Sequence, residues 1–220
     1  MEEQTTPQSQ EKVIKDYMTY CLEHAKRPES VYLFAKNHDM EEKDFYVFFS
    51  SFEALEKAIF GDFFSRTMEL LHKSEEYEHY DARTKLLSFY FTYFEILTAN
   101  RTFAMFLLQE SRNPLKNLAK LGTLRTQFLV FIQNLDIKKM KIEQEFIQKV
   151  QDKGINEMAW GQFLMTLKFW MDDESKAFEK TDIYIEKSIH ASFDLMDIKP
   201  FESIIDFGKF IFKEKFSTKA

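Results

Sequence analysis

The spacing of apolar residues along the chain predicts an all-α protein. In the first segment, from Glu11 to Ala25, Val13, Ile14, Tyr17 and Cys21 recur at steps of three and four residues and so share one face of a helix. Eight later stretches have similar stripes, two shorter ones lie between, and no stretch is convincing as a strand, so nine to eleven helices are expected. The later stretches are Ser51–Glu76, Ala82–Asn100, Thr102–Glu110, Asn113–Asn134, Lys138–Lys153, Asn156–Trp170, Thr181–Met196 and Pro200–Lys213.

Residues that begin and end helices mark several of these boundaries. Ser51 and Asp81 are predicted as N-caps, and Pro114 stands at the first-turn position, which suits its missing amide hydrogen. Gly154 is predicted to end one helix and Asn156 to cap the next. Gly61, in the middle of a long helix, costs about 1 kcal/mol relative to alanine, so it marks close packing or a bend.

Two short apolar-faced segments near the N-terminus form a distinct unit. Val31–His38 and Glu42–Phe48 are separated by a tight polar break at Asp39-Met40, and Ser51 then starts a long helix. Two short helices joined by a three- or four-residue turn and followed by a longer helix make a helix-turn-helix unit.

This unit resembles the TetR family of bacterial regulators without a gap from Ser30 to Leu55. Ala35-Lys36 stands where that family has Ala-Lys, Phe45-Tyr46 where it has Leu-Tyr, and Glu53-Ala54-Leu55 matches the start of its fourth helix. The resemblance implies a TetR-like three-helix head over residues 1–55, with 1–10 flexible, and a helical ligand-binding and dimerisation body over residues 56–220. In that family the fourth helix joins head to body and transmits a shift when ligand binds.

The head departs from the family pattern mainly in its charge. Asp39 replaces the usual turn glycine, Glu41 the usual Ser or Thr cap, and Phe52 a lysine that lies near the DNA backbone in the family. Residues 1–55 contain 6 Lys and Arg and 11 Asp and Glu, so they hold five of the chain's six net negative charges. Because DNA affinity depends on cations at phosphates, the usual charge of a DNA-binding head is missing.

The resemblance still identifies candidate DNA contacts. In that family the second helix of the motif is presented to the major groove, and here it starts with Glu42, Lys43 and Asp44. The candidate contacts on this helix are Lys43 and Tyr46, although the ring of Tyr46 can equally pack within the head. The candidate phosphate contacts are Lys36, Lys26 and Arg27.

Phenylalanine is unusually abundant in the chain, with 25 of 220 residues. A Phe-rich helical interior can be a solid core, or it can line an apolar cavity. The family places its ligand cavity between helices equivalent to those of the body. The candidate ligand-binding residues are Phe89, Tyr93, Phe94, Phe103, Met105, Phe106, Phe128, Phe131, Phe163 and Met165.

The resemblance also implies a homodimer, because TetR-like proteins pair their last two main helices with those of a partner in a four-helix bundle. The segments Trp160–Trp170 and Ile183–Phe193 are the candidates for that pairing. The candidate interface residues are Leu164, Leu167, Trp170, Ile183, Ile189 and Phe193.

A second resemblance covers about 20 residues, from Phe169 to Ile189. This run is similar to the C-terminal signature of a family of ubiquinone-biosynthesis accessory proteins, which share the TetR fold, do not bind DNA and hold isoprenoid lipids. The residues that carry the similarity are Trp170, Asp173, Ser175, Thr181 and Lys187.

Composition and motifs exclude several classes of protein. The chain has no Gly-rich phosphate loop, no nucleophile elbow and only one cysteine, so neither an enzyme nor a cofactor is expected. The pairs Glu69/His72 and Glu76/His79 have the spacing of di-iron ligands, but both lie on one polar segment, so no metal site is expected. The polar N-terminus lacks a signal peptide and no apolar run is long enough to span a bilayer, which predicts a cytoplasmic protein.

Two hypotheses about function remain. The first is a dimeric TetR-like transcriptional regulator, whose binding to double-stranded DNA is modulated by a hydrophobic small molecule in the body. The second is a protein of the same fold that has lost DNA binding and carries or senses a lipid or a quinone-type molecule. In the second case the acidic head could contact a basic partner protein.

Overall fold

The computed structural model describes the backbone of residues 9–137 and 145–196 and the side chains of residues 9–137 and 153–195. Within these ranges the chain is entirely helical apart from its turns and loops, which confirms the all-α prediction. The α-helices are α1 (Gln10–His24), α2 (Val31–Asn37), α3 (Glu42–Phe48), α4 (Phe52–His72), α5 (Ala82–Ala99), α6 (Arg101–Gln109), α7 (Pro114–Ala119), α8 (Gly122–Asn134), α9 (Glu145–Asp172) and α10 (Glu179–Met196), with 3₁₀ turns at Glu75–His79 and Lys176–Phe178.

The chain divides into two compact units. One contains the described residues up to Leu70 together with Tyr93–Phe128, and the other contains Leu71–Thr92 and the described residues from Leu129 onward. The first unit therefore combines the helix-turn-helix with α6 and α7, whereas α9 and α10 pack against each other in the second. Among the described helices, none is both long enough and apolar enough to cross a membrane.

Aromatic rings form the core of the helix-turn-helix head. Tyr17 of α1 stacks on Phe52 at 5.3 Å between ring centroids, and Phe45 of α3 meets the same ring edge-on at 5.4 Å. Phe34 of α2 lies 6.1 Å from Phe45 and, like it, is fully buried. Phe52, which replaces the family's lysine, is therefore part of the ring cluster that packs the head.

The turn between α2 and α3 requires a left-handed residue, and Asp39 supplies it at φ 51°. Aspartate is one of the few non-glycine residues that adopts this conformation readily, so it can stand where the family has glycine. At the start of α3 the side chain of Asp44 accepts a hydrogen bond from the amide of Glu41 at 3.1 Å. Asp39 thus provides the left-handed turn residue and Asp44 a capping hydrogen bond, the two roles that the motif usually gives to Gly and to Ser or Thr.

Most predicted helix boundaries lie within a few residues of those in the structure. Ser51 and Asp81 accept hydrogen bonds from the amides of Ala54 and Thr84, and Asn113 caps α7, which begins with Pro114. Two boundaries were wrong. The helix predicted over residues 113–134 is interrupted between α7 and α8, and Gly154 does not end a helix, because α9 continues through it.

Gly154 is tolerated inside α9 because a single interior glycine costs only about 1 kcal/mol, which packing of the rest of a 28-residue helix offsets. The predicted Asn156 cap is consequently an interior helical residue. Residues 138–144 of one predicted helix, and the whole of the predicted helix over residues 200–213, lie outside the described residues.

Gly61 gives a test of packing within the first unit. A Cβ at this position would lie 2.7 Å from Thr123 Cγ2, so α4 and α8 approach closely here. We expect Gly61→Ala to lower the free energy of unfolding by about 1 kcal/mol, because overpacking costs about 1–3 kcal/mol and the helix regains about 1. Thr123→Ala in the Gly61→Ala background should restore stability, as measured by urea unfolding.

The matched control is Gly161→Ala in α9, where an added Cβ would meet nothing within 4 Å. This substitution should raise stability by roughly 0.5–1 kcal/mol through helix propensity alone. Equal effects of the two Gly→Ala substitutions would contradict the close approach at Gly61.

Candidate DNA-binding head and helical body

The outward face of α3 is mixed in chemistry. Phe45 points into the head and is fully buried, so the residues beside it are turned to solvent. Tyr46 is 50% exposed and Val47 74% exposed, and Glu42 and Lys43 are exposed with them. The face that the family presents to DNA here carries an aromatic ring, an apolar side chain and charges of both signs.

Carboxylates surround the predicted DNA contacts on α3. Lys43 Nζ lies 2.6 Å from Glu41 Oε2, and the hydrogen bond between them raises the pKa of Lys43. The hydroxyl of Tyr46 donates to Glu42 Oε1 at 3.3 Å. Both candidate residues are thus accessible, but each faces an acidic neighbour that DNA phosphates would have to replace.

The three predicted phosphate contacts differ in their environment. Lys36 is exposed and pairs with no carboxylate among the described residues. Lys26 is exposed and makes a surface ion pair with Glu29 at 3.2 Å, an interaction that is worth little in water. Arg27 is only 27% exposed and points among carboxylates of the protein itself.

Arg27 lies at the centre of an ionic cluster. Its Nη2 donates to Glu56 Oε2 at 2.6 Å and its Nη1 to Glu53 Oε1 at 2.9 Å, while Nε lies 2.9 Å from Glu110 Oε1. Burial alone would lower the pKa of Arg27, but Glu56 and Glu110 outweigh it and raise the pKa. The structure thus gives Arg27 a role that the sequence interpretation missed, as the cation beside a buried carboxylate.

Lys120 is the second cation of this cluster. It follows α7, is 8% exposed, and its Nζ lies 3.5 Å from Glu56 Oε2. The same Nζ pairs with Glu110 and donates to the carbonyl of Leu107 at 2.9 Å. Lys120 therefore connects the end of α6 to the carboxylate on α4.

Glu56 is fully buried, and its other oxygen, Oε1, also accepts a hydrogen bond. Tyr17 Oη of α1 donates to Glu56 Oε1 at 2.6 Å. Burial, followed by the charge of Glu56, raises the pKa of Tyr17, so the phenol keeps its proton and remains a donor. A signal for this site existed in the sequence, because Glu56 falls on the apolar stripe formed by Phe52, Ile59 and Phe63.

The candidate ligand-binding residues are divided between the two compact units. Most of them are buried, and they contact other aromatic rings: Phe89 meets Phe131 at 4.9 Å in the second unit, and Phe103 meets Phe106 at 6.4 Å in the first. Met165 differs, because it is 64% exposed. The remaining members of the set are Tyr93, Phe94, Phe128 and Phe163, which are buried, and Met105, which is half-buried.

The candidate dimer-interface residues are also of two kinds. Leu167 and Trp170 on α9 and Ile189 on α10 are buried within one chain, and the two helices pack against each other. Ile183 is 49% exposed and lines a surface groove with Phe169 and Lys180. Leu164 and Phe193 are intermediate in exposure.

Three residues of the second resemblance, Asp173, Ser175 and Thr181, form hydrogen bonds across the loop between α9 and α10. Asp173 Oδ1 accepts from the amide of Ser175 at 2.8 Å, and Oδ2 accepts from the amide and hydroxyl of Thr181 at 2.9 and 2.7 Å. These bonds enclose Ala177 and Phe178, which both have positive φ, at 54° and 60°. The Asp-x-Ser and Thr pattern therefore has a structural explanation, because it holds a strained loop in place.

Among the side chains that the structure describes, no group of three or more His, Cys, Asp or Glu residues could hold a metal ion.

The fold is thus that of an all-α protein with a helix-turn-helix near its N-terminus. A family model described as tetracyclin repressor-like, C-terminal domain, matches residues 85–211, which is more than half of the chain. The chain belongs to the TetR family, whose members are typically regulators rather than enzymes. A comparison with curated proteins returned no match.

The Asp173 loop predicts an acid dependence of stability. Burial alone would raise the pKa of Asp173, but hydrogen bonds from Ser175 and Thr181 lower it to about 2. A depressed pKa stabilises the folded state above the unfolded-state value of about 4, and that contribution is lost as the pH falls towards 2. We expect Asp173→Asn to destabilise the protein by about 1–3 kcal/mol at neutral pH, with the difference from wild type shrinking in acid.

The measurement is urea unfolding followed between pH 7 and pH 2.5. Asp172→Asn is the matched control, because Asp172 is exposed and only pairs with Lys168 on the same helix. A pH-independent effect of Asp173→Asn, or the same effect from Asp172→Asn, would contradict the assignment.

Proposed function

We propose that the protein is a dimeric transcriptional regulator, in which a hydrophobic molecule bound in the helical body controls the binding of the head to double-stranded DNA. The observation that carries this proposal is the combination of α2, a left-handed turn and α3 with a body that matches the TetR family. Within this family fold, α3 is the element suited to the major groove, which has room for one helix.

The exposed side chains of α3 would define the sequence that is read. Tyr46 and Lys43 offer donors, and Glu42 offers a carboxylate that can accept from the amino group of cytosine. Lys36 and Lys26 are exposed cations for phosphates, whereas Arg27 is held by carboxylates. With so few cations, binding would rest on two heads engaging one palindromic site.

The dimer would form through α9 and α10. The exposed apolar side chains on these helices include Met158, Met165 and Ile183, and a pair of packed helices can form a four-helix bundle with a second copy. The ligand would control DNA binding only through a difference in its affinity for the two head spacings of that dimer.

DNA binding is tested by selecting genomic fragments with the purified protein and measuring fluorescence anisotropy on the selected sites across a salt series. We expect a palindromic site whose affinity falls as the salt concentration rises. Lys36→Gln should weaken binding and reduce the salt slope by about one per head, because one phosphate contact is lost. Lys168→Gln in α9, which removes the same charge from the body, should leave the slope unchanged.

Failure to enrich any fragment, together with undetectable duplex binding at low salt, would reject a DNA-binding regulator. That outcome would leave a second candidate, a TetR-family carrier or sensor of a lipid or quinone-type molecule. The observation that favours it is the pairing of both candidate DNA contacts on α3 with carboxylates: Lys43 pairs with Glu41, and Tyr46 donates to Glu42.

The second candidate is tested by extracting lipids from the purified protein and identifying them by mass spectrometry. We expect Phe128→Trp to reduce the retained lipid, because a larger ring at this fully buried position would narrow a cavity. The control is Phe45→Trp in the head, which enlarges an equally buried ring away from the body. Unchanged lipid retention in a Phe128→Trp protein that still melts cooperatively would place the cavity elsewhere.

A further inference from the structure

Four charged side chains of alternating sign form a closed ring within the first compact unit. Arg27 contacts Glu56 at 2.6 Å and Glu110 at 2.9 Å, and Lys120 contacts the same two carboxylates. Within this ring each charge has two neighbours of opposite sign and the four charges sum to zero, while Arg27 also pairs with the exposed Glu53 outside the ring. Tyr17 also contacts the ring, because its hydroxyl donates to Oε1 of Glu56, the oxygen that the two cations do not contact.

The members of the ring come from segments that are far apart in the chain. Arg27 lies between α1 and α2, Glu56 on α4, Glu110 at the end of α6, and Lys120 between α7 and α8. The ring therefore joins the helix-turn-helix directly to α6 and α7. This connection adds to the direct packing of α1 on α6, where Tyr17 meets Phe103 edge-on at 6.3 Å between ring centroids.

Burial makes the ring cooperative. Glu56 is fully buried, and a buried carboxylate is tolerated only when it is paired and hydrogen-bonded. A displacement of α6 or α7 that withdrew Glu110 or Lys120 would leave Arg27 and Glu56 with incomplete partners. The low-energy alternative is for the residues of the head to move with α6 and α7.

We propose that this ring is a coupling joint, which makes the head and the α6–α7 segment change conformation together. The proposal goes beyond the function proposed above, because it holds whether the head binds DNA or another partner. It assigns Glu110 and Lys120 as positioning residues that act on the head through Arg27 and Glu56.

A coupling joint differs from an ordinary ion pair because a change in one segment also loosens the other segment, in both directions. If α6 and α1 are coupled through the ring, opening of either segment favours opening of the other. A change at α6 therefore loosens α1, and a change at α1 loosens α6. A purely local pair would loosen only the segment in which it is altered.

The test is native-state hydrogen exchange on the full chain. We expect Glu110→Gln to speed exchange of the α1 amides around Tyr17 by about tenfold, the effect of weakening one charge-assisted contact. Glu95→Gln is the matched control, because Glu95 is an exposed carboxylate on α5 in the same compact unit. It should leave the exchange of α1 unchanged.

Tyr17→Phe supplies the reciprocal measurement, because it removes only the hydroxyl that reaches Glu56. It should also speed exchange of the α6 amides, and the double variant should show less than the product of the two single effects. The proposal is overturned if Glu110→Gln affects α6 and α7 alone, if Glu95→Gln reproduces its effect on α1, or if the effects of the two variants multiply.

Discussion

The burial of one carboxylate, that of Glu56, is the constraint on which the packing of the head depends. A buried ionised group without partners would cost several kcal/mol, so its two oxygens must be satisfied by groups from other segments. α1 contributes a phenol, the loop after α1 a guanidinium, and the residue between α7 and α8 an ammonium. Lys120, which makes the last of these contacts, stands at the interruption of a helix that the apolar pattern alone predicts to be continuous.

Local signals were sufficient to predict most of the helices but not the contacts between them. The bounds of α3 and the caps Ser51, Asp81 and Asn113 follow from short-range chemistry, since each cap bonds an amide two or three residues away. Gly154 was misread, because the preference of glycine for helix ends is weaker than the packing of a long helix. The partners of Arg27 lie up to 83 positions away in the chain (Glu110), and no local spacing rule identifies them.

The net charge of the head could be predicted from the sequence, but the exposure and partners of its charged side chains could not. Counting residues shows an acidic head, whereas the structure shows which cations remain accessible: Lys36 is exposed, Lys43 faces Glu41, and Arg27 is held inside. Phe52 shows the same difference, because its ring packs against Tyr17 and Phe45 where the family has a lysine. The presence of Phe52 in place of the family's lysine therefore removes a surface cation and adds a ring to the core of the head.

The acidity of the head has a consequence for how the protein would move through a cell. Most DNA-binding proteins first attach to arbitrary duplex through their cations and then slide along it. A head with 11 acidic and 6 basic residues offers few cations to duplex of arbitrary sequence. Under the proposed function, the protein would attach only briefly to arbitrary duplex and would reach its target mainly by three-dimensional diffusion.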